Sequence, residues 1–589
     1  MMEKRFVLFI ILTFLVFIGF QYLVPQNRRP DPPQQPGVQA EYPPAAPYDA
    51  VPAGEAIEAG ENTAPSAAEN VAREDTQAAA RRIVIDGDLY TAVLDNRGGV
   101  LTSWELKNYQ TAKTGKGEQQ SRVFNMITGA SRNEGFYPGA LILQDASATA
   151  AANNEYYQVS IEGVEPAAEE ILSPPVAVKL TLTRGDMQIE KVWNFDRDNY
   201  TASLLISGTQ AGKPLQGRFF LSEDIGPEAE HFTSRNAGQT TSVYYSGGKV
   251  RRESPPKDPQ EPKRLEGDVR WAGLDLQYFS MIAIPKYPLS WFNIQTTHVL
   301  QTGIDGNEIE RNLLKVMLPF DTGGSGGEAD YKFYIGPKKQ ENLRLSGSAD
   351  LSGVIDYGMF SFLVYPLLAA LRWIHQFAQN YGAAIIVLTF AISVILFPLR
   401  LKSMLSMRKM SAIQPKVKAI QDKYKQYKAT DPRKREMNQE VMALYKEHGV
   451  NPMGGCLPLI IQMPLLIAFY SLLAYTIDLR QAPFIWWIQD LSAKDPYYVL
   501  PIAMGLTSFI SQKLMPMSPT TDPTQAKVMM LMPILFTFIF LNMSSGLNLY
   551  FLCSNVFQVM LQKIAERWIP KDAPRVVPAK VKSKKGKSL

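Results

Sequence analysis

The feature that most constrains the fold is the uneven distribution of apolar residues along the chain. One uninterrupted apolar run covers residues 6–24, and several more lie between residues 381 and 565. A run of about 20 apolar residues is long enough to cross a bilayer as a helix. The stretch between these runs has an ordinary polar composition, which predicts a water-soluble domain carried by a membrane protein. A purely cytosolic enzyme is therefore excluded.

The apolar runs predict six transmembrane helices. The first run follows Lys4 and Arg5 and has no small-residue cleavage site near its end, which favours an uncleaved anchor over a signal peptide. The last run is too long for one span, and a turn at Met543-Ser544-Ser545-Gly546 divides it. The predicted spans are residues 1–24, 381–402, 454–475, 497–514, 528–544 and 546–565.

The positions of lysine and arginine predict the orientation of these spans. Residues 403–453 and the C-terminal tail, residues 566–589, are both strongly basic. Basic loops remain in the cytoplasm, so both termini are predicted inside and residues 25–380 outside. A further span at residues 350–379 would put one of these regions on the wrong side of the membrane. That segment is therefore predicted to be an amphipathic helix along the outer interface.

The outer region divides into a spacer and a β domain. Residues 25–80 are rich in Pro, Ala, Glu and Gln, which predicts a disordered or polyproline linker. Residues 81–340 alternate apolar and polar positions between turn residues, which predicts an antiparallel, all-β sandwich. A structural or docking role is expected, and a carbohydrate-active enzyme is the alternative. No metal or cofactor is expected, since the four histidines and two cysteines lack metal-ligand spacing.

Residues 403–453 are predicted to form a cytoplasmic helical hairpin. Apolar residues recur at steps of three and four from Met404 to Tyr427, and Asp431-Pro432 suits the start of a second helix. One interpretation is a solvated pair of helices whose lysines fix the orientation of the spans in the membrane. The other is a contact surface, with flexible methionines for apolar partners and a basic face for ribosomal RNA or acidic lipid. Its candidate residues are Met404, Met407, Met410, Lys416 and Lys418.

The spans carry uncharged polar residues but no central charge, which argues against an ion pump. Thr389 and Ser393, for example, lie one helical turn apart. Such residues indicate either hydrogen bonds between helices or a hydrated concavity. A polytopic transporter or channel with a periplasmic sensor domain is the alternative from another class. It would require inverted repeats or charged pore residues, and the sequence of the spans shows neither.

Several long segments of the spans and their loops follow a recognisable sequence pattern: Asn451–Tyr470, Leu479–Phe484, Trp487–Tyr498, Thr521–Pro523, Ser545–Tyr550 and Ser554-Asn555. These segments resemble the YidC family of bacterial membrane protein insertases. The nearly gapless matches are more specific than a short motif, and they cover the five C-terminal spans. In the outer domain the likeness is looser and rests on Gly98-Gly99, Trp271-Ala-Gly and Gln277-Tyr-Phe.

The resemblance implies a five-helix insertase core around a hydrophilic groove that is open to the cytoplasm and to lipid. It implies that the protein inserts nascent membrane proteins into the inner membrane and helps them fold, alone or beside the Sec translocon, with the ribosome as a further partner. It implies no enzymatic activity, no cofactor and no small-molecule substrate. The outer domain is expected to resemble the sandwich of sugar mutarotases and to be dispensable for insertion.

The resemblance also supplies candidate groove residues. Most family members carry an arginine in the wall of the first core helix, and aligning Thr389-Phe390 and Pro398-Leu399 with the family pattern places Ser393 there. Arg400 lies two turns nearer the cytoplasm and is not expected to reach the same depth. An uncharged polar groove is therefore expected. The candidate groove residues are Thr389, Ser393, Gln462, Gln512 and Phe551.

Overall fold

The computed structural model describes eleven stretches of the chain, which include most of the outer domain and the helical region. The predicted anchor, nearly all of the linker and most of the C-terminal tail lie outside these residues. The described residues are 78–111, 122–127, 137–162, 169–226, 240–256, 261–302, 308–323, 327–427, 431–449, 457–514 and 523–568.

The described residues up to Pro337 form a domain of two β-sheets. One sheet has five strands, in the order β4-β3-β2-β1-β7, and the other has fourteen, with the main path β5-β12-β18-β17-β15-β16-β19-β10-β9-β8-β6. The strands are β1 Arg82–Asp86, β2 Tyr90–Asp95, β3 Val100–Gln110, β4 Val123–Asn125, β5 Leu141–Leu143, β6 Gln158–Ile161, β7 Glu169–Leu172, β8 Val176–Arg184, β9 Met187–Phe195, β10 Thr201–Gln210, β11 Lys213–Pro214, β12 Gln216–Glu223, β13 Thr241–Ser246, β14 Lys249–Glu253, β15 Lys263–Asp275, β16 Phe279–Pro285, β17 Leu289–Thr302, β18 Glu308–Asp321 and β19 Glu328–Pro337.

Strand alternation places one face of each strand in the core, as the sequence pattern predicts. In β9 every second residue from Met187 to Phe195 is buried. Trp104 and Trp193 are fully enclosed, and the Trp104 ring stacks on Tyr90 with the centroids 4.0 Å apart. The described strand pairs are antiparallel, except that β1 and β7 are parallel. The β-rich outer domain is thus confirmed.

A short helix within the β domain, α1 (Ala146–Asn154), does not follow from the strand pattern. The Asp145 side chain caps it by accepting hydrogen bonds from the backbone N–H groups of Ser147 and Ala148. Its alanines favour helix and are small enough to pack closely, and Ala148, Ala151 and Ala152 are buried. Helix propensity therefore overrides alternation at this position.

The region after the β domain is helical. Three short 3₁₀ turns, Ala349–Val354, Gly358–Phe360 and Ile477–Leu479, accompany the α-helices. The α-helices are α2 Gln340–Leu345, α3 Ser361–Ala378, α4 Tyr381–Ala412, α5 Gln414–Lys423, α6 Arg433–Glu447, α7 Leu457–Tyr475, α8 Val499–Leu514, α9 Pro523–Phe540 and α10 Ser545–Trp568.

Helix boundaries differ from the sequence prediction at the start of the hairpin. α4 continues ten residues beyond the predicted end of its span, and the chain breaks at Ile413 before α5 begins. Pro415 lies in the first turn of α5, where its missing N–H is tolerated, whereas within a continuous helix it would clash with the preceding turn. The expectation of one helix from Met404 to Tyr427 is therefore wrong. The predicted break near Ser544 is confirmed, because α9 ends at Phe540 and α10 begins at Ser545.

Two described helical stretches are long and apolar enough to cross a membrane, Gly358–Ala378 and Tyr381–Ala412. Three shorter apolar stretches lie in the later helices: Gln462–Tyr475, Val499–Leu514 and Leu531–Phe540. The number of six spans and the interfacial position of α3 therefore remain predictions.

The helices after α3 pack around α10. α10 makes extensive contact with α4 and α8, α9 packs along α8, and α3 packs against α4 and α7. The contacts of α7 with α4 and α10 are much smaller. One side of the bundle is therefore loosely packed, and the polar cluster described next lies where α4, α7 and α10 meet.

Candidate functional site

Two predicted groove residues lie on the inner face of α4. Thr389 and Ser393 are only 1% and 3% exposed. The Thr389 hydroxyl donates to the Ile385 carbonyl at 2.6 Å, and the Ser393 hydroxyl donates to the Thr389 carbonyl at 2.7 Å. Each hydroxyl proton is thus used within the helix itself, one turn back. These residues place polar atoms in the interior without depending on another helix.

A polar cluster joins α4, α7 and α10 in the C-terminal half of α4. Arg400 Nη2 donates to Gln462 Oε1 at 3.1 Å, and Gln462 Nε2 donates to the Tyr550 hydroxyl at 3.3 Å. Tyr550 is 1% exposed, and its ring stacks on Phe469 at 4.0 Å. The cluster therefore places the Arg400 guanidinium on the loosely packed side of the bundle.

The Arg400 guanidinium keeps hydrogen-bonding capacity in this cluster. Its Nη1 atom is buried and has no hydrogen-bond partner among the residues that the structure describes. A buried donor without a partner costs about 1–3 kcal/mol, so a ligand that accepts a hydrogen bond there gains correspondingly. Backbone carbonyls and carboxylates are the groups that a guanidinium binds best.

A second polar set forms a seam along α10. Asn548, Asn555 and Gln562 are spaced by seven residues and lie on one face. Asn555 Nδ2 donates to Ser508 Oγ at 2.6 Å, and Gln562 Nε2 donates to the Leu514 carbonyl at 3.0 Å. Asn548 Nδ2 donates to the Phe540 carbonyl at 3.1 Å. These amides hold α10 to α8 and α9, so here the interhelical interpretation is the one that the contacts favour.

The remaining groove candidates lie on different walls of the bundle. Gln512 is half-buried near the C-terminal end of α8. Phe551 follows Tyr550 on α10, and its ring contacts Phe540 of α9 at 4.8 Å. Of the five candidates, only Gln462 takes part in the polar cluster of Arg400 and Tyr550. The sequence indicates that Arg400 could join this cluster, because Arg400 lies seven residues after Ser393 and thus on the same helical face.

The cytoplasmic hairpin buries one of its predicted contact residues. Met410 is buried with Ile413, Val417, Val441 and Tyr445, and these side chains form the core of the hairpin. Met410 is therefore unavailable to a partner, which corrects its assignment to the contact surface. Met404 is half-buried, and the side chain of Met407 lies outside the described part. Lys416 and Lys418 are exposed, as that interpretation requires.

The turn of the hairpin is braced by charged side chains. Lys423 Nζ and the Tyr424 hydroxyl both donate to Glu440 Oε1, at 3.0 and 2.9 Å. These two hydrogen bonds, with Lys423 the larger effect, hold the pKa of Glu440 below its usual value. The bonds join α5 to α6 and leave the basic face turned outward.

The outer loop between α7 and α8 contacts the β domain directly. Arg480 Nη2 donates to the Gln110 carbonyl at 2.6 Å, and its guanidinium lies over the rings of Phe124 and Phe279 at 5.4 and 5.2 Å. Gln277 of the β domain donates to the Ala474 carbonyl of α7 at 2.7 Å. The domain is therefore seated on the outer end of the bundle.

Arg372 attaches helix α3 to α2 and to the outer loop between α7 and α8. Its guanidinium pairs with Asp478 of the outer loop at 2.7 Å and with Glu341 of α2 at 2.7 Å. Val364, Leu368 and Leu371 form its buried face. The opposite face exposes Phe362, Tyr365, Trp373 and Phe377. No group of three or more His, Cys, Asp or Glu side chains among the described residues is placed to hold a metal ion.

Two family models match the chain. The model described as "60Kd inner membrane protein" matches residues 373–572, and the one described as "YidC periplasmic domain" matches residues 82–370. With the fold above, these matches define an inner-membrane protein with a β-rich periplasmic domain and a helical C-terminal region. Membrane protein insertase YidC of Syntrophus aciditrophicus (strain SB) is 33% identical over 567 residues, which cover 95% of this chain and 98% of that protein. The chain belongs to the YidC family of membrane protein insertases.

Other relatives and solved structures are similar to different extents. Membrane protein insertase YidC of Geotalea daltonii is 33% identical over 578 residues, covering 97% of this chain and all of that protein. A crystal structure of an active YidC insertase aligns with 82% of this chain and 93% of its own, at 17% identity and a TM-score of 0.34. A galactose mutarotase-like protein from Lactobacillus casei aligns with 44% of this chain and 99% of its own, at 12% identity and a TM-score of 0.25.

Proposed function

We propose that the protein inserts nascent membrane proteins into the bacterial inner membrane through the loosely packed side of its helical bundle. The observation that supports this most is the Arg400–Gln462–Tyr550 cluster, a hydrogen-bonded polar site that contains a guanidinium and joins three of the helices. A polar site of this kind within the membrane is costly and marks function more often than structure. The family membership of the chain supports the same conclusion.

The packing of the helices supports lateral exit of the substrate into lipid. α7 has smaller contacts with α4 and α10 than with α3, whereas α10 is fixed to α8 and α9 by the amide seam. Large apolar side chains such as Ile395, Leu506 and Phe538 are exposed on α4, α8 and α9. A substrate helix that leaves the polar cluster meets apolar side chains on its way to the acyl chains.

The driving force for release is burial of the substrate's own apolar surface. At about 25 cal/mol per Å² of apolar area, a segment of about 20 apolar residues gains tens of kcal/mol on reaching the hydrocarbon core. The barrier is the polar flank of the segment, because an unpaired amide in an apolar environment costs about 2–7 kcal/mol. Hydrogen bonds to Arg400 and Gln462 lower that barrier by replacing bonds to water. No nucleotide or cofactor enters this scheme.

The polar cluster carries a charge, unlike the uncharged groove that the sequence predicts. A unit charge at about 4 Å from a carboxylate contributes about 4 kcal/mol at an effective dielectric constant of 20. Arg400 therefore favours substrates with acidic residues in the translocated flank. Ser393, whose hydroxyl bonds to its own helix, has a minor part.

The orientation and partners belong to the same proposal. Both termini and the basic hairpin lie in the cytoplasm, where the exposed Lys416 and Lys418 face the emerging chain, the ribosome or acidic lipid. The β domain lies in the periplasm and the Sec translocon is a partner in the membrane. The protein acts as a non-enzymatic insertase and folding chaperone.

Complementation tests this function. Cells depleted of their own insertase receive this chain, and insertion of a small single-span substrate is followed by protease access to its translocated tail. We expect restored insertion with the wild-type chain and with Ser393→Ala. A chain that accumulates in the membrane with the correct orientation but leaves the tail untranslocated would contradict the proposal.

A further inference from the structure

The loop between α7 and α8 folds as a tight cover on the outer end of α4. Phe484 N–H donates to the Ile488 carbonyl at 2.9 Å, and Ile488 N–H donates to the Ile485 carbonyl at 2.7 Å, so residues 485–487 form a narrow tip. The N-cap residue of α4, Asn380, donates from Nδ2 to the Phe484 carbonyl at 3.1 Å. The tip is thereby attached to the first turn of α4.

Close packing at Gly382 fixes the height of the tip relative to α4. A Cβ atom at Gly382 would lie 2.0 Å from the Phe484 ring, so only glycine allows this approach. Gly382 is the second residue of α4. The tip therefore lies level with the outer end of the helix.

One large side chain in this loop points away from the protein. Ile488 and Leu491 are buried, and Trp487 donates from Nε1 to Asp495 Oδ1 at 3.2 Å. Trp486, immediately before Trp487, is 82% exposed and has a φ of +33°. A bulky residue at positive φ costs about 1–3 kcal/mol and persists only where the surroundings impose it. The positive φ of Trp486 is imposed by the tight turn at residues 485–487 and by the Gln489 side chain, which donates to the Trp486 carbonyl.

Other aromatic side chains are exposed at the same level. Trp373 and Phe377 lie on the last turns of α3, which ends three residues before α4 begins, and Tyr497 lies just before α8. All of them flank the outer ends of helices assigned to the membrane. Trp486 is thus the most exposed of the aromatic side chains at this end of the bundle.

We propose that Trp486 is a lipid anchor whose indole lies at the boundary between headgroups and acyl chains in the outer leaflet. Tryptophan prefers this boundary because its ring is apolar and its N–H reaches polar groups. The partner is the lipid surface, because the tip is continuous with the exposed aromatic face of α3 and level with the ends of the spans. Through Phe484 and Asn380 the anchor sets the depth of α4, which carries Arg400.

Depth measurement in proteoliposomes tests the anchor directly. Cys456 and Cys553 are replaced by serine in the full chain, and a fluorescent label is attached at Trp486→Cys or, as a control, at Lys494→Cys. Lys494 is exposed at the other end of the same loop. We expect a lipid spin label near the glycerol backbone to quench the label at position 486 at least threefold more than the label at position 494. Equal quenching would overturn the proposal.

A second measurement avoids the cysteine variants. Brominated lipids quench tryptophans that touch acyl chains, so wild type should lose a larger fraction of its fluorescence than Trp486→Phe, which lacks one of the lipid-facing indoles. Identical fractional quenching in the two proteins would overturn the anchor. So would a label at position 486 that lipid quenchers never reach and that becomes shielded only when a substrate or another protein is added.

Discussion

The β domain and the helical bundle each bury a basic side chain, and they satisfy its hydrogen bonds to different extents. In the β domain, Lys191 Nζ donates to the carbonyls of Gly98 and Gly139 at 2.6 and 2.7 Å and lies 5.2 Å from the centre of the Tyr157 ring. In the bundle, Arg400 has one hydrogen bond to Gln462 and a buried nitrogen without a described partner. The first arrangement pairs the amine with two carbonyls, whereas the second leaves one buried N–H group without a partner among the described residues.

The same difference extends to apolar side chains. Trp104, Trp193 and Trp271 are fully enclosed between the sheets. In the bundle, Ile395 and Phe538 project outward and the contacts of α7 are small. Enclosed apolar side chains stabilise the β domain by burial, whereas the bundle leaves apolar side chains exposed where lipid can cover them.

The largest effect is expected from removing a core ring of the β domain. Trp193→Ala removes a side chain that packs on Phe333 and donates to the Gly99 carbonyl, and it should cost about 3–5 kcal/mol of unfolding free energy. Phe538→Ala, the matched change on the exposed face of α9, should cost less than about 1 kcal/mol. Proteolysis of the full chain in nanodiscs at graded urea measures both. Similar losses would remove the contrast between the two regions.

The second prediction concerns the pH dependence of the β domain. Burial lowers the pKa of Lys191 to about 7, whereas the unfolded chain has the usual value near 10.4. Between these values the unfolded state binds the extra proton, so stability rises with pH, by at most about 1.4 kcal/mol per unit, and is lost as pH falls towards 7.

Lys191→Met removes the rise of stability with pH and leaves two carbonyls without their donor. The free energy of unfolding should fall by about 2 kcal/mol at neutral pH. The deficit of the variant relative to wild type should widen from pH 7 to pH 9 in urea titrations. Lys179→Met, at an exposed position on β8, serves as the control and should show no such trend. A deficit that stays constant from pH 7 to pH 9 would mean that Lys191 remains charged in the folded protein.

The third prediction tests the contact between the two regions. Arg480→Ala removes the guanidinium that lies over the rings of Phe124 and Phe279 and should cost about 1–2 kcal/mol of docking free energy. Arg480→Lys should restore little, because an ammonium lacks the planar face that stacks on the rings. Hydrogen exchange of residues 122–127 reports the docking. Exchange that is unchanged in both variants would show that other contacts hold the domain.

The smallest effect is expected at Ser393. Its hydroxyl bonds only to the Thr389 carbonyl in the described contacts, so Ser393→Ala should change insertion by less than about twofold. The effect is measured as the insertion of a single-span substrate in cells depleted of their own insertase. Loss of insertion with normal accumulation would show that the hydroxyl contacts the substrate directly.

The sequence predicts the two regions unequally well for physical reasons. Alternation along β9 follows from burial of one strand face, and the turn before Ser545 follows from its small polar residues, so both were foreseeable. The helix at Ala146–Asn154 was missed because alanine carries no amphipathic signal. The break at Ile413 was missed because the apolar periodicity continues through Pro415.

The polar cluster was harder to predict than any single helix. Gln462 was recognised as a candidate, but a one-dimensional pattern does not show that a long side chain from α4 reaches across to α7. Arg400 was therefore placed too near the cytoplasm to matter. The resemblance indicated where a charge was missing, and the geometry indicates which residue supplies one.

Insertion efficiency across substrates that differ only in flank charge tests the central claim most directly. Wild type and Arg400→Gln are compared in depleted cells, with Arg408→Gln, an arginine farther along the same helix, as the matched control. We expect Arg400→Gln to reduce insertion of an acidic-flank substrate at least tenfold and that of a neutral-flank substrate about threefold or less. Equal loss for both substrates, or no loss for either, would contradict the account that Arg400 is the charge that receives the substrate.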